Sequence, residues 1–193
     1  MILGKADIER LIEQGTIVCQ PPGKINPCSI DVSLGTIFYR QPEDFDPVFP
    51  YGNKFWESNP GVLDLHEGHE CIRIDPGEVI LATTEQFIGV QGKYTTMLKS
   101  KSTTARLCLD VCGSAGWGDP GYINKWSFPL QNKGMRSIYL RPGTWIAQLV
   151  FMECSSDEDY TKEGSYQTSS DINTVMETWK PEDILPAKLK VRE

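Results

Sequence analysis

Residues 114–132 read SAGWGDPGYINKWSFPLQN and combine a small-residue run, a tight turn and a strand-like run. The turn is predicted at Asp119-Pro-Gly, because Pro fixes φ at its second position and Gly accepts a positive φ at its third. The small residues before Asp119 would let another molecule reach the backbone and hydrogen-bond to it. We interpret the stretch as a β-hairpin that binds a ligand, with Asp119 as the first candidate for chemistry.

The rest of the chain repeats short strands and regular turns. Ile30, Val32 and Leu34 alternate with polar residues, which predicts a half-buried strand. Pro-Gly turns are predicted again at residues 75–77 and 141–143. With a short helix predicted over residues 5–14, this pattern favours a mainly β fold, an antiparallel sandwich or barrel, over βαβ units. We expect residues 1–154 to form the domain and the polar residues 155–193 to form a C-terminal tail with local order.

Composition limits the partners of the chain, which has 193 residues and a formal net charge of -7. The acidic balance argues against nucleic-acid and anionic-membrane partners, although local cations and backbone N–H groups can still hold a small anion. No apolar run approaches the ~20 residues of a membrane span. The six cysteines are scattered without a CxxC pair, and no secretory signal precedes them. We therefore expect reduced thiols and a cytoplasmic protein.

Two other features attract attention without predicting chemistry. The loop over residues 41–61 is rich in aromatic side chains, which we expect to pack it onto the domain, whereas an exposed set would mark a partner surface. His66 and His69 are the only histidines, and they lie in the Gly-containing sequence HEGHE. We interpret them as turn residues and predict no protein-held metal there.

Residues 100–106, SKSTTAR, are the second candidate for ligand binding. Hydroxyl groups and two cations, Lys101 and Arg106, within about one helical turn suit phosphate oxygens. Ser102 or Thr103 is predicted to cap a short helix. The alternative is an ordinary helix start with solvated cations, and the residues alone leave both interpretations open.

Taken in order, these stretches resemble the dCTP deaminases, a family in the superfamily that also holds the trimeric dUTPases. The resemblance runs from residue 1 to about residue 167, and the order and spacing of its short motifs are more specific than any one of them. The motifs are Ser102 with Ala105-Arg106, Asp119-Pro-Gly-Tyr122, Asn132, Arg141-Pro-Gly143, residues 146–151 and Tyr166-Gln167.

The resemblance implies a distorted antiparallel β-barrel, jelly-roll-like and dUTPase-like, in a homotrimer with active sites between subunits. It implies a pyrimidine deoxynucleoside triphosphate as substrate, with Mg²⁺ on its phosphates. Implied catalytic residues are Asp119, Ser102 and Arg106. Implied substrate-binding residues are Lys101, Thr103, Ser114, Ala115, Gly116, Trp117, Tyr122, Gln148, Tyr166 and Gln167.

The resemblance also implies which part of the substrate each of these residues contacts. The hairpin backbone would read the base, and Tyr122 would pack under deoxyribose. Ser102 and Gln148 would hold phosphates. The segment around Tyr166 would close over the nucleotide.

One departure from the family pattern decides which reaction the residues favour. Deaminases of this family carry a Glu, the general acid and base, three residues before the Asn that corresponds to Asn132. Pro129 stands at that position, so Arg106 loses its usual partner, and Lys101 replaces an Arg. A factor of ~10²–10⁴ in rate is then missing unless another residue, such as Asp110 or Glu153, supplies the proton.

This departure leaves more than one function open. Asp119 stands where dUTPases keep the carboxylate that orients water, so the residues favour diphosphate hydrolysis, whereas the whole-chain resemblance favours deamination. A third possibility is a nucleotide-binding or regulatory protein that has lost catalysis, or an enzyme for a modified pyrimidine nucleotide. We expect an enzyme of pyrimidine deoxynucleotide metabolism that acts on dUTP or dCTP and leads toward dUMP.

Overall fold

The computed structural model describes residues 1–40, 50–51, 64–156, 158–187 and 189, with the backbone alone for 64–67. Its helices are α1 (Lys5–Glu13), α2 (Ser102–Arg106) and α3 (Ile172–Thr178), with 3-10 turns at Tyr160–Lys162 and Pro181–Ile184. Its strands are β1 (Ile17–Gln20), β2 (Lys24–Asn26), β3 (Ser29–Arg40), β4 (Asp64–Glu67), β5 (Ile72–Ile74), β6 (Val79–Val90), β7 (Tyr94–Ser100), β8 (Leu109–Val111), β9 (Trp117–Gly118), β10 (Ile123–Asn132), β11 (Ile138–Leu140) and β12 (Trp145–Glu153). Most of the aromatic loop over residues 41–61 lies outside the described residues.

A ten-stranded antiparallel sheet dominates the molecule, with the order β8-β10-β6-β3-β12-β7-β9 and with β1, β2 and β4 attached at its sides. The long strand β3 links its two halves. The first half of β3 pairs with β12 and β2, and its second half pairs with β6 and β4. The predicted mainly β, antiparallel fold with a short N-terminal helix is confirmed.

The prediction that β3 is half-buried is wrong, because both of its faces are covered. Ser29, Asp31 and Ser33, on the face expected to meet solvent, are as buried as the apolar residues between them. Each finds a polar partner on a neighbouring element. For example, Gln86 accepts from the Ser33 backbone N–H at 2.9 Å and donates to the Ser33 hydroxyl at 2.8 Å. Polar residues can be buried in this way when their hydrogen-bonding groups are satisfied.

Both Pro-Gly turns form as predicted. Glu78 N donates to Asp75 O at 3.0 Å and Thr144 N donates to Arg141 O at 3.2 Å. The strands on either side of each turn belong to different sheets, however. β5 and β11 pair with each other in a separate two-stranded sheet, whereas β6 and β12 run into the large one. The turns therefore link two layers and do not close hairpins.

The C-terminal residues fold back over the large sheet. Trp179 follows α3 and packs edge-on against Phe87, with ring centroids 6.1 Å apart. Ile184 and Leu185 are buried in a small cluster with Ile37 and Tyr39. This packing places the end of the described chain beside residues 114–132. These residues turn at Asp119-Pro-Gly, but the prediction of a β-hairpin is wrong, because β9 pairs with β7 whereas β10 pairs with β6 and β8. We call residues 114–122, which carry this turn, the hairpin segment, or hairpin for short.

Two further findings concern the cysteines and the helices. All six cysteines are free thiols. Burial raises the pKa of Cys19 to about 11, so its thiol stays protonated at neutral pH. Across the described ranges, no helix has the length and apolar character needed to span a bilayer.

Candidate active site

A cavity of about 370 Å³ opens between the hairpin, strand β10 and the C-terminal residues. We call it the hairpin cavity. Its lining residues are Leu81, Ala115, Trp117, Gly118, Asp119, Tyr122, Trp126, Ser127, Pro129, Tyr160, Tyr166, Ile184 and Pro186. It therefore brings together five of the residues that were predicted for the site: Ala115, Trp117, Asp119, Tyr122 and Tyr166.

The small residues of the hairpin have a structural role that the sequence interpretation missed. Gly116 is buried, and a Cβ there would lie 2.4 Å from Leu98 O, so this glycine permits close contact with β7. Gly116 O also accepts from Leu98 N at 2.7 Å. Neither Gly116 nor the exposed Ser114 lines the hairpin cavity. Before Asp119, the residues of the hairpin that line it are Ala115, Trp117 and Gly118.

Asp119 is the one acidic residue in the lining of the hairpin cavity. It is exposed, and its carboxylate accepts no hydrogen bond from any other described residue, so both oxygens are open to water or a ligand. Its backbone carbonyl closes the turn by accepting from Tyr122 N at 3.1 Å. The turn thus fixes the main chain and leaves the carboxylate free.

Pro129 faces the same cavity from strand β10. It lies directly opposite Leu81 of β6, and both side chains are partly buried. Pro129 therefore lines the cavity at the position where the family resemblance implies a general acid and base. Its ring has no ionisable group. Neither suggested substitute compensates, because Asp110 pairs with Lys133 and Glu153 lies 3.4 Å from the N-terminal amine, both outside the cavity lining.

An aromatic cluster forms the floor around Tyr122. Its ring meets Trp126 and Tyr160 edge-on, with centroid distances of 5.3 and 4.9 Å. Desolvation in this cluster raises the pKa of Tyr122 well above its usual value, so the ring stays neutral. A neutral aromatic face beside the turn suits an apolar contact with a sugar.

The segment after β12 is fastened to the hairpin turn. Tyr160 N donates to Pro120 O at 2.8 Å, and the Asp159 carboxylate fits against Gly121, where any Cβ would lie 2.7 Å from it. Gly121 also has a φ of +84°, which favours glycine. Tyr160 was not among the predicted site residues, and no sequence motif marks it.

Tyr166 and Gln167, which were predicted together, take different roles. Gln167 is buried, and its amide accepts from Ile123 N at 2.8 Å and donates to Gly121 O at 2.9 Å and Ser169 O at 2.8 Å. These backbone partners engage both polar atoms of the amide, so Gln167 anchors the C-terminal segment to β10. Tyr166 lines the cavity, and its hydroxyl accepts from Ala187 N at 3.1 Å.

The residues predicted to hold phosphates form a second group, at the far end of β7. The Lys101 ammonium pairs with Asp31, whose side chain is 1% exposed. Asn26 donates to the same carboxylate at 2.7 Å. Gln148 accepts from Ser29 Oγ at 3.3 Å beside this pair. Asp31 was not predicted, because in the sequence it reads as one more solvent-facing residue of an alternating strand.

Ser102, Thr103 and Arg106 project from α2 into solvent. None of their side chains bonds to another described residue. The N-cap of α2 is Lys101, which makes no side-chain cap bond, so the prediction that Ser102 or Thr103 caps the helix is wrong. The buried residue of this helix is Thr104, whose hydroxyl donates to Ile146 O at 3.1 Å. The three exposed side chains are therefore free to meet a ligand or a second chain.

The two groups do not meet within one chain. The hairpin contacts β7 from Thr96 to Leu98, and Gly118, next to Asp119, pairs with Thr96. Lys101 lies five residues beyond Thr96, which is roughly 17 Å along an extended strand. Asp119 also lines a neighbouring cavity of about 440 Å³, beyond Trp117. The other charged residues of that lining are Glu158, Asp159, Glu163 and Lys162. Those carboxylates would repel a triphosphate.

Comparison with known proteins identifies the family. A family model described as dCTP deaminase-like matches residues 2–154. A dCTP deaminase of Haloarcula marismortui is 32% identical over 164 residues, which cover 82% of this chain and 84% of that protein. The chain belongs to the dCTP deaminase-like family.

Two further relatives of this dCTP deaminase-like chain are informative. The dCTP deaminase, dUMP-forming, of Persephonella marina is 30% identical over 169 residues, covering 86% of this chain and 92% of that one. The crystal structure of 2′-deoxycytidine 5′-triphosphate deaminase from Agrobacterium tumefaciens has a TM-score of 0.60 at 18% identity. That match covers 78% of this chain but 46% of the other, so this chain spans about half of that protein, and the likeness concerns the fold.

Proposed function

We propose that this dCTP deaminase-like chain processes dUTP or dCTP toward dUMP, and that its residues suit hydrolysis between the α- and β-phosphates better than deamination. The observation that carries the proposal is the chemistry of the hairpin cavity. Its lining offers one carboxylate, Asp119, and presents Pro129 where a deaminase needs a proton carrier.

In this proposal Asp119 acts as the base that orients the attacking water. The water oxygen forms a bond to the α-phosphorus, and the bond from that phosphorus to the α,β-bridging oxygen breaks. Pyrophosphate leaves with the electron pair, and the proton of the water passes to Asp119 and then to solvent. The free, exposed carboxylate of Asp119 suits this role, because no internal hydrogen bond competes for it.

Deamination at C4 of cytosine has a different requirement. A group must deliver a proton to the leaving ammonia as well as remove one from water. Pro129 can do neither, and Asp110 and Glu153 lie outside the cavity lining. The proposed reaction is therefore the one that needs a single carboxylate.

Phosphate binding is assigned to the second group. Ser102, Thr103 and Arg106 are exposed and free of internal partners, and Lys101 and Gln148 lie beside them. Because this group is roughly 17 Å of strand beyond the residue that pairs with Gly118, next to Asp119, and lines no part of the hairpin cavity, we propose that a neighbouring copy supplies it. A homotrimer with sites between subunits meets that need through one repeated heterologous interface.

Magnesium fits this proposal as a companion of the substrate. No group of three or more His, Cys, Asp or Glu side chains suited to a metal occurs among the described residues, so that part of the chain offers no cage for a resident ion. When bound to the triphosphate, Mg²⁺ neutralises charge on the phosphates.

We also propose that residues 1–154 form the catalytic domain, with residues 155–193 as a tail over the site, in a cytoplasmic protein. The support is the path of the chain after Glu153, which packs Tyr160 and Tyr166 against the hairpin cavity.

Product analysis tests the reaction. The protein is incubated with Mg²⁺ and either dUTP or dCTP, and nucleotides and ammonia are measured. We expect dUMP and pyrophosphate from dUTP, without ammonia from dCTP. Ammonia from dCTP would overturn the assignment and require an unidentified proton carrier.

A second function is favoured by the state of the residues assigned to phosphate binding. Lys101 is committed to the buried Asp31, and Pro129 cannot carry a proton, so two positions that catalysis would use are otherwise occupied. Tight binding of dUTP or dCTP with no product would support a nucleotide-binding or regulatory protein.

A further inference from the structure

Asp31 of β3 is the one buried acidic residue among the side chains that the structure describes. Both of its carboxylate oxygens are engaged: Asn26 donates to Oδ1 at 2.7 Å, and the Lys101 ammonium pairs with Oδ2. A side chain that is 1% exposed cannot meet a substrate itself. Any part that Asp31 plays in binding therefore passes through the groups that it holds.

Lys101 is the charged group that Asp31 holds, and it directly precedes Ser102 of α2. Removing the counter-charge of a buried carboxylate is strongly destabilising, so the fold favours keeping this pair together. The ammonium has three N–H donors and bonds to no other described residue, while the side chain is 25% exposed. Two of its donors thus remain available to an anion.

Gln148 adds a further donor beside the pair. It is the direct cross-strand partner of Asp31 in the register of β12 and β3, so the two side chains lie side by side on one face of the sheet. Gln148 Oε1 accepts from Ser29 Oγ at 3.3 Å, and its Nε2 donates to no other described residue. The unused groups around Asp31 are therefore an ammonium and an amide N–H, which suit phosphate oxygens.

We propose that Asp31 is a positioning residue for phosphate binding, which fixes Lys101 so that the remaining donors of its ammonium meet the triphosphate. The inference rests on the proposed function, which assigns phosphates to Lys101, Gln148 and α2. A mobile lysine loses rotamer freedom when it binds an anion, whereas a lysine held by Asp31 has lost that freedom before the ligand arrives.

A pair with a structural role alone leads to a different expectation. The negative charge of Asp31 opposes a triphosphate, so removing that charge would then leave the affinity unchanged or improve it. The positioning role predicts the reverse. In Asp31→Asn the amide turns an N–H toward the ammonium, which releases Lys101 from its fixed place.

A double-mutant cycle tests the inference. The affinity for non-hydrolysable α,β-imido dUTP is measured by calorimetry, with Mg²⁺, for Asp31→Asn, Lys101→Met and the double variant. Each single variant should bind about tenfold more weakly than the unaltered chain, through the reordering of the lysine or the loss of its bond. The double variant should also be weaker by about tenfold and not by their product, because both changes remove the same contact.

Two controls separate positioning from a general effect on the fold. Lys24→Met removes an exposed lysine that also lies directly opposite Asp31, on β2, but makes no ion pair with it. Glu78→Gln removes the acid of the Arg40–Glu78 pair, whose side chains are 32% and 21% exposed. Glu78→Gln should lower the thermal midpoint, and both controls should keep the affinity within about twofold.

A measurement on the unaltered chain covers the case in which a variant does not fold. Carbon-13 relaxation of the lysine ε-methylene groups should show Lys101 ordered in the free protein. Lys24, whose ammonium bonds to no other described residue, is the mobile reference. A Lys101 side chain as mobile as that of Lys24 would overturn the inference.

The outcomes separate the inference from the proposed function. If Lys101→Met weakens binding but Asp31→Asn leaves it unchanged or tighter, the inference fails and the proposed function stands. It fails in the same way if the two effects multiply in the double variant. Unchanged affinity in Lys101→Met overturns the inference together with the assignment of phosphates to Lys101. No binding to the unaltered chain overturns the proposed function itself.

Discussion

Asp119 combines exposure, freedom from internal hydrogen bonds and a place in the cavity lining. We predict that Asp119→Asn lowers kcat for dUTP by ~10²–10⁴, because the amide cannot accept a proton from water. The affinity for a non-hydrolysable dUTP analogue should change by less than about threefold, because equilibrium binding does not need a residue that accepts a proton. Full turnover in this variant would remove Asp119 from the mechanism. Glu177→Gln, which removes one exposed charge from α3 outside the cavities that Asp119 lines, is the control and should leave kcat unchanged.

Pro129 offers the complementary gain-of-function test. A Glu there would place a carboxyl group on the cavity wall and return an N–H to the strand. We predict that Pro129→Glu creates or raises deamination of dCTP, measured as ammonia release. Pro129→Gln is the control, because Gln has nearly the same shape as Glu but cannot shuttle a proton. No ammonia from the Glu variant would mean that other parts of the cavity have also diverged from a deaminase.

The connection between the C-terminal segment and β10 depends on one side chain. Gln167 holds Ile123 N, Gly121 O and Ser169 O, and all of these groups would lose a partner in Gln167→Ala. Leaving a buried N–H unsatisfied costs about 1–3 kcal/mol. We predict that amide exchange near Ile123 and in residues 166–187 accelerates by about tenfold to a hundredfold, measured by mass spectrometry.

The control for this variant is Gln91→Ala. Gln91 also bonds to the C-terminal segment, donating to Ser170 O at 3.1 Å, but at an exposed site. Exchange in this variant should resemble that of the unaltered chain. Equal acceleration in both variants would mean that the segment is held diffusely and not through Gln167.

The separation of the two site groups makes a prediction about the assembly. Ser102 and Arg106 are exposed and unbonded, so replacing either with Ala should preserve the fold. We predict that Asp119→Asn and Arg106→Ala are each nearly inactive alone, but that mixed oligomers regain roughly a quarter of full activity. In a randomly mixed ring, one interface in four joins a hairpin with an intact Asp119 to a phosphate-binding helix with an intact Arg106.

Mixing the Arg106→Ala and Ser102→Ala chains is the matched control, since both changes lie on the same side of the interface. That mixture should recover nothing. The mixing of the chains is verified by mass spectrometry. If the first mixture then recovers no activity, both groups of one site lie in the same subunit.

The sequence was informative wherever a local rule sufficed. Prolines and glycines at residues 75–77, 119–121 and 141–143 specified turns, because their backbone preferences do not depend on distant contacts. Alternation identified the strands for the same reason. It failed for Asp31, where periodicity gave the face of the strand but not what covers that face, since Lys101 comes from 70 residues away.

The candidate site divides in the same way. The chemistry of Asp119 and Pro129 is a property of the residues themselves, and the motif order was sufficient to indicate the family. Three features depend on how the strands and the C-terminal segment meet: Pro129 faces the cavity, the backbone occupies the Gln167 amide, and Ile184 lines the cavity. Such contacts join residues far apart in the chain, and loop closure and packing select them, so no short stretch of sequence encodes them.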